Sequence, residues 1–370
     1  MSARPRSSTL WLWAAYVALV LYASLHPFGP WTWPAGSSWT ELLALPWPRY
    51  WPALDLWANA LGYVPLGFLT VVVVWRQGAG WVRAGVVGCV FPSALAYGLE
   101  LAQHGLASRV PSLADWALNT LGTTLGVALA IALGLSGQLT RATRWRERWF
   151  VPHAAGALTL WALWPLGLLF PAPLPLAQGQ FLPEVVSLAN AVLTDRGWPL
   201  LPTWALAQAP PSWALAVTAL GLLAPCGLVL AASKSGWHRV LCVTLTLAVG
   251  MGASCLAAAW VHGPDKAWSW LTPATVPAVA AAWVAALCLS LLPARWNALL
   301  GVLWLALLLG LVNRLAGDPF LEASLRAWLG GAQVRLYGVV QWVGRLWPLF
   351  ALAWLLASLT RRQDRAVRAP

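Results

Sequence analysis

The sequence predicts an all-α, polytopic transmembrane helical bundle, and three observations carry that expectation. Of 370 residues, 60% are hydrophobic and only 9% are charged, against roughly 25% charged in ordinary soluble domains. A soluble fold of this size would lack the charge to cover its surface. The apolar stretches reach the length of about 20 residues that a spanning helix needs. Some of the 29 tryptophans stand beside prolines or charges at the ends of these stretches (Trp31, Trp33, Trp47, Trp51, Trp145 and Trp149), where interfacial aromatic belts form.

The first apolar run, Leu10 to Leu25, follows Arg4 and Arg6 and has no clean small-x-small cleavage site, so it is expected to remain as an anchor. Further runs lie at about 55–75, 82–103, 113–135, 153–170, 212–232, 240–261, 273–293, 297–313 and 346–360. About ten spans result, the last short enough to need tilt or help from its flank. With both termini cytoplasmic, the inner segments hold Arg4, Arg6, Arg76, Arg83, Arg141, Arg144, Arg146, Arg148, Lys234, Arg239, Arg295, Arg361, Arg362, Arg365 and Arg368. That is most of the 23 basic residues, as the positive-inside rule requires for a bacterial cytoplasmic membrane protein.

Three regions are expected: a four-helix domain over 1–136, a basic cytoplasmic linker over 137–151, and a six-span region over 152–370. The linker carries Arg141, Arg144, Arg146 and Arg148. Each is worth about 1 kcal/mol against anionic headgroups. Residues 171–211 and 314–345 read as amphipathic segments on the outer membrane face, the second through Leu321, Leu325, Trp328 and Leu329.

The net charge of +12 is dispersed between spans and forms no aromatic-interleaved patch, so no nucleic-acid partner is expected. Cys89, Cys226, Cys242, Cys255 and Cys288 all lie in apolar runs without metal-ligand spacing. Neither a metal site nor a disulfide framework is expected, and no cofactor is implied.

Polar groups inside spans cost roughly 2.5–3.5 kcal/mol when ionised at mid-bilayer, so their positions carry information. Asp55 and Asn59 stand four apart at the start of the second run, on one helix face, with Pro65 set to break the helix beyond them. Glu100, Gln103 and His104 end the third run. A short turn through Arg109 leads to Ser112 and Asp115, a capping-box-like start, then to Asn119, Gly122 and Gly126. In the assigned topology these groups share one outer layer. Helix capping by Asp115, an ion pair of Glu100 with Arg109, and interhelical bonding by Asn59 and Asn119 are the purely structural alternatives.

These pieces, together with Tyr22-Ala-Ser-Leu-His-Pro-Phe28, occur in an order and spacing that resembles the VanZ-like family over residues 10–135. The resemblance implies a link to resistance against the glycopeptide teicoplanin, and assigns no reaction. It makes Asp55, Asn59, Glu100, Gln103, Arg109, Asp115 and Asn119 the candidate ligand-binding residues. The expected function is binding of an anionic or glycosylated envelope lipid, or a glycan precursor, at the extracytoplasmic face, with Arg109 clamping an acidic group. A membrane enzyme built on the same carboxylates, a transporter and a non-catalytic scaffold remain the alternatives. Catalytic residues and oligomeric state stay unassigned.

Overall fold

The computed structural model describes residues 8–26, 28–33, 36, 38–48, 53–107, 109–169, 174–201, 211–314 and 334–367. The described residues form helices and no strand. A helix covers each of the ten expected apolar runs: α1 (Ser8–Leu25), α3 (Ala53–Arg76), α4 (Trp81–Gln103), α5 (Leu113–Leu135), α7 (Ala155–Leu168), α9 (Pro211–Ala232), α10 (His238–His262), α11 (Thr275–Leu289), α12 (Ala294–Val312) and α13 (Val334–Val367). Seven of them are long and apolar enough to cross a membrane, whereas the apolar parts of α1, α7 and α11 are shorter. The chain is a multi-pass helical membrane protein.

Among the described residues three α-helices lie outside those runs: α2 (Trp39–Leu43), α6 (Gln138–Trp149) and α8 (Leu182–Asp195). The α2 turn exists because Ser38 and Glu41 form a reciprocal capping box, which satisfies two orphan donors at once. α6 makes the basic segment helical, with Arg141, Arg144 and Trp145 exposed. α8 leaves Val185, Leu188 and Val192 exposed on one stripe, as an amphipathic surface helix does. The final helix differs from expectation in starting well before residue 346. Its apolar window runs Val340–Arg361, which supplies the length the run at 346–360 lacked. The expected rhythm of Leu321, Leu325, Trp328 and Leu329 falls outside the described residues.

The chain divides into two compact units, Met1–Glu147 and Arg148–Pro370. In the second, α9 is the central helix and packs against α7, α10, α11, α12 and α13. Arg239, which the charge count places among the cytoplasmic loop residues, is instead buried at 2% exposure. Its guanidinium donates to the carbonyls of Leu230, Ser233 and Lys234 at the end of α9, and to Ser290 and Leu292 beyond α11. The last carbonyls of a helix have no partner within it, and one planar fork of donors serves two such ends here. Asn313 ties the non-helical stretch before α8 to α12, accepting from the amides of Phe181 and Leu182 and donating to Gly179 O.

In the first unit α3 and α5 run parallel, with α1 and α4 antiparallel to them. The direction of α1 follows from its bonds: Trp13 Nε1 donates to Thr70 and Tyr16 Oη donates to Gly62 O, while Arg76 donates to Thr9. Residues rising along α1 therefore meet residues falling along α3. Pro65 lies inside α3, and Tyr16 binds a carbonyl next to the one left without its amide donor. At the same level, α3 and α5 come together through glycine. A Cβ on Gly122 would collide with Ala60 O, and one on Gly126 with Val64 O. No side chain fits between these backbones, so the two helices approach as closely as their main chains allow.

Gly122→Ala is therefore expected to lower the melting temperature of the detergent-solubilised protein by several degrees or to prevent folding. Gly62→Ala, where a Cβ meets nothing within 4 Å, is expected to leave it within a degree or two. Equal behaviour of the two variants would contradict the close α3–α5 contact.

Candidate functional site

The helix directions gather the C-terminal ends of α1 and α4 and the N-terminal ends of α3 and α5 at one end of the first unit. Helix ends expose unpaired carbonyls or amides, and the polar residues of the sequence are distributed to match. Arg109 serves the end of α1: its Nη2 donates to Ala23 O and His26 O at 2.8 Å each, and its Nε to His26 O at 3.2 Å. Gln103 adds a bond from Nε2 to Ser24 O at 3.2 Å. A guanidinium and an amide donor thus close the carbonyl end of α1, where positive charge is favoured by the helix dipole.

Ser112 is the N-cap of α5, its hydroxyl accepting from the Asp115 amide at 3.2 Å. The reciprocal bond of a capping box would come from residue 115, three positions on. Here it comes from another helix: the Glu100 carboxylate on α4 accepts from the Ser112 amide at 2.9 Å. Glu100 is buried at 4% exposure, and this bond joins the end of α4 to the start of α5 across the turn.

Described residues between α1 and α3 bond to the same end. Thr32 N donates to Gly105 O, Leu113 N to Pro46 O, and Tyr97 Oη to Leu43 O. Phe28, Trp31, Trp33, Trp47 and Trp57 are exposed around it, in keeping with an interfacial belt. The aromatic motif after α1 folds on itself, with the Tyr22 ring centroid 5.2 Å from His26 and 5.1 Å from Phe28.

Deeper in, the polar atoms are differently placed. The contacts of Gly122 with Ala60 O, Gly126 with Val64 O and Gly67 with Thr123 O run the stretch 59–67 of α3 alongside 119–126 of α5. Asn119 is 4% exposed, Tyr63 6% and Thr123 0%. Asn59 Nδ2, Tyr63 Oη, Asn119 Oδ1 and Thr123 Oγ1 are buried without a hydrogen-bond partner among the described residues. Glu100 and Tyr16 lie within electrostatic reach of Tyr63. A buried polar group left unsatisfied costs about 1–3 kcal/mol, so four on one seam are a substantial cost to the bundle.

The structure thus places Glu100, Gln103, Arg109, Asp115, Asn59 and Asn119 at one end, in two roles. Gln103 and Arg109 hold α1, and Glu100 also helps to form the α4–α5 turn. Asn59 and Asn119 carry the uncommitted atoms. Asp55 lies in the first turn of α3, with its side chain outside the described residues. Tyr63 and Thr123 were missed as site residues, since a tyrosine and a threonine four after each asparagine read as ordinary helix-face residues. Their i,i+4 spacing from Asn59 and Asn119 was the available signal.

His26 sits between burial and cation. Desolvation first, and the Arg109 guanidinium second, lower its pKa from the usual value of about 6.5. The unfolded chain then binds the proton more readily than the folded one, so the stability contributed by neutral His26 is present above pH about 6.5 and is lost as pH falls through the lower folded value. NMR titration of labelled His26 is expected to give a midpoint below that of a free histidine, and Arg109→Gln to raise it only part of the way. A midpoint at or above 6.5 would contradict this arrangement.

Residues 6–134 match the family model described as VanZ/LLP1. No curated protein and no solved structure matches the chain. The match covers about the first third of the sequence, ends where α5 ends, and takes in all seven candidate residues, so the N-terminal helical domain is a VanZ-like domain, followed by a region that no family model assigns.

Proposed function

We propose that the chain is a cell-envelope protein whose VanZ-like domain binds the headgroup of an anionic or glycosylated envelope lipid, or of a glycan precursor, at the extracytoplasmic face of a bacterial cytoplasmic membrane. The observation that carries this reading is the set of buried, unpartnered amide and hydroxyl groups that runs inward from the Asn59 and Asn119 end of α3 and α5. Ionisable and polar groups kept inside a membrane bundle mark function by default, because the lipid phase penalises them.

The charge distribution supports the orientation. At the opposite end of the domain Arg76 bonds Thr9 and Thr143, and α6 presents Arg141 and Arg144. With that basic end in the cytoplasm, the seam and its tryptophan-rich cover face outward. Arg109 contributes to the reading as the clasp that holds α1 over the site. A role for antibiotic resistance follows the same line: a protein that engages envelope lipids or glycan precursors acts where glycopeptides act.

Two measurements test the proposal together. A cysteine placed at Val110, which is 81% exposed, is expected to react with a membrane-impermeant maleimide in intact cells, and one at Thr140 only after lysis. Lipids that co-purify with the protein are expected to be enriched in an envelope species that Glu100→Gln and Asn119→Ala lose. Reversed labelling would overturn the orientation, and identical lipid profiles for all three proteins would overturn the binding role.

A further inference from the structure

We infer that Arg76 and Arg146 form a surface site for the phosphate of an anionic phospholipid, where the end of α3 meets α6. The site lies at the opposite end of the VanZ-like domain from Asn59 and Asn119, and stands whichever leaflet α6 faces. Arg76 is the last residue of the apolar stretch of α3, so its guanidinium stands at the level of the headgroups. Its terminal nitrogens are held on two sides, Nη1 donating to Thr9 Oγ1 at 2.6 Å and Nη2 to Thr143 Oγ1 at 2.7 Å. The Thr143 hydroxyl itself donates to Leu139 O at 2.9 Å, which leaves its lone pairs to Arg76. The guanidinium is preorganised, and a ligand does not have to immobilise it.

Arg146 follows Thr143 by three residues on α6, a spacing that puts both side chains on one helix face. The Arg76 guanidinium, bonded to Thr143, therefore stands one helical turn from Arg146. Arg146 and Glu147 both lie within electrostatic reach of Arg76, and Glu147 is exposed. Arg146 is half-buried, and its Nε meets no acceptor among the described residues. Two guanidiniums beside one carboxylate leave a surplus of positive charge. Like charges at the edge of a bilayer repel more strongly than in water, and an anion bound by both relieves that repulsion. A phosphate suits the pair, because its oxygens accept from planar forks of donors.

The surroundings favour a lipid as the source. Trp75 and Trp81, stacked with centroids 4.8 Å apart, adjoin this end of α3 and mark the headgroup level. Leu139 anchors α6 on the core of Val71, Val72, Ala84, Val127 and Ala130, while Arg141, Arg144 and Trp145 are exposed. Those exposed arginines draw anionic lipid to the surface by an attraction that salt screens. A zwitterionic headgroup would bring its own ammonium against the two guanidiniums, so the site prefers a headgroup with net negative charge.

The test uses the full-length protein in phosphatidylcholine nanodiscs with and without phosphatidylglycerol, followed by native mass spectrometry and thermal shift. Phosphatidylglycerol is expected to be retained roughly tenfold over phosphatidylcholine, the worth of a charge-assisted hydrogen bond. Arg146→Gln is expected to remove most of that preference without lowering the melting temperature in phosphatidylcholine alone, since it relieves a repulsion. Arg146→Lys, which keeps the charge and loses the fork, is expected to restore only part of it. The double variant Arg141→Gln, Arg144→Gln is expected to keep the preference. Loss of preference in the double variant, with retention in Arg146→Gln, would overturn the site in favour of diffuse surface attraction. Equal retention of the two lipids would overturn it, and so would stabilisation by soluble glycerol 3-phosphate as large as that by phosphatidylglycerol.

Discussion

The contact of α3 with α5, backbone against backbone at Gly122 and Gly126, is the constraint on which the VanZ-like domain depends. In lipid there is little hydrophobic force to bring helices together, so close packing and interhelical bonds supply the association. The glycines permit that packing, and they also set the register. Once Gly122 rests on Ala60, the stretch of α5 that carries Asn119 and Thr123 runs alongside the stretch of α3 that carries Asn59 and Tyr63. The helices are too closely matched for either to slide without breaking the contact. The same interaction that stabilises the bundle therefore positions its least satisfied atoms.

The arginines show how differently one side chain type is used within one chain. Arg109 and Arg239 both donate to main-chain carbonyls at helix ends, and each joins segments that are far apart in sequence. Arg239 does so at 2% exposure, where a guanidinium is tolerated only because its donors are satisfied. Arg141 and Arg144 on α6 remain exposed and serve the membrane surface. Charge alone does not separate these roles. The separation comes from which carbonyls each guanidinium can reach.

Much of the fold was legible in the sequence, because hydrophobic run length is a direct physical requirement of the bilayer. The helices fall on the ten expected runs, and Ser112 caps α5 as its spacing implies. Less local features were hidden. Ser38 and Glu41 build a short helix in a stretch that lies outside every expected run. The partner that completes the α5 cap is Glu100, twelve residues back on another helix, whereas a capping box is sought three residues ahead. Of the site, the asparagines and the acidic residues stood out because such groups are costly in a span. Tyr63 and Thr123 did not, since their hydroxyls are ordinary helix constituents until packing leaves them without partners. Arg109 was legible as a site residue, but its bonds to the end of α1 depend on the antiparallel arrangement of α1 and α3.

The central claim is that a headgroup from the outer leaflet meets the seam at Asn59, Tyr63, Asn119 and Thr123. Photo-crosslinking with a glycolipid that carries a diazirine in its sugar, added to sealed vesicles and mapped by peptide mass spectrometry, tests it most directly. The account predicts crosslinks concentrated on residues 57–63 and 115–123, competed by unlabelled glycolipid. Crosslinks concentrated on α6, or spread evenly over the lipid-facing helices and insensitive to competition, would contradict it.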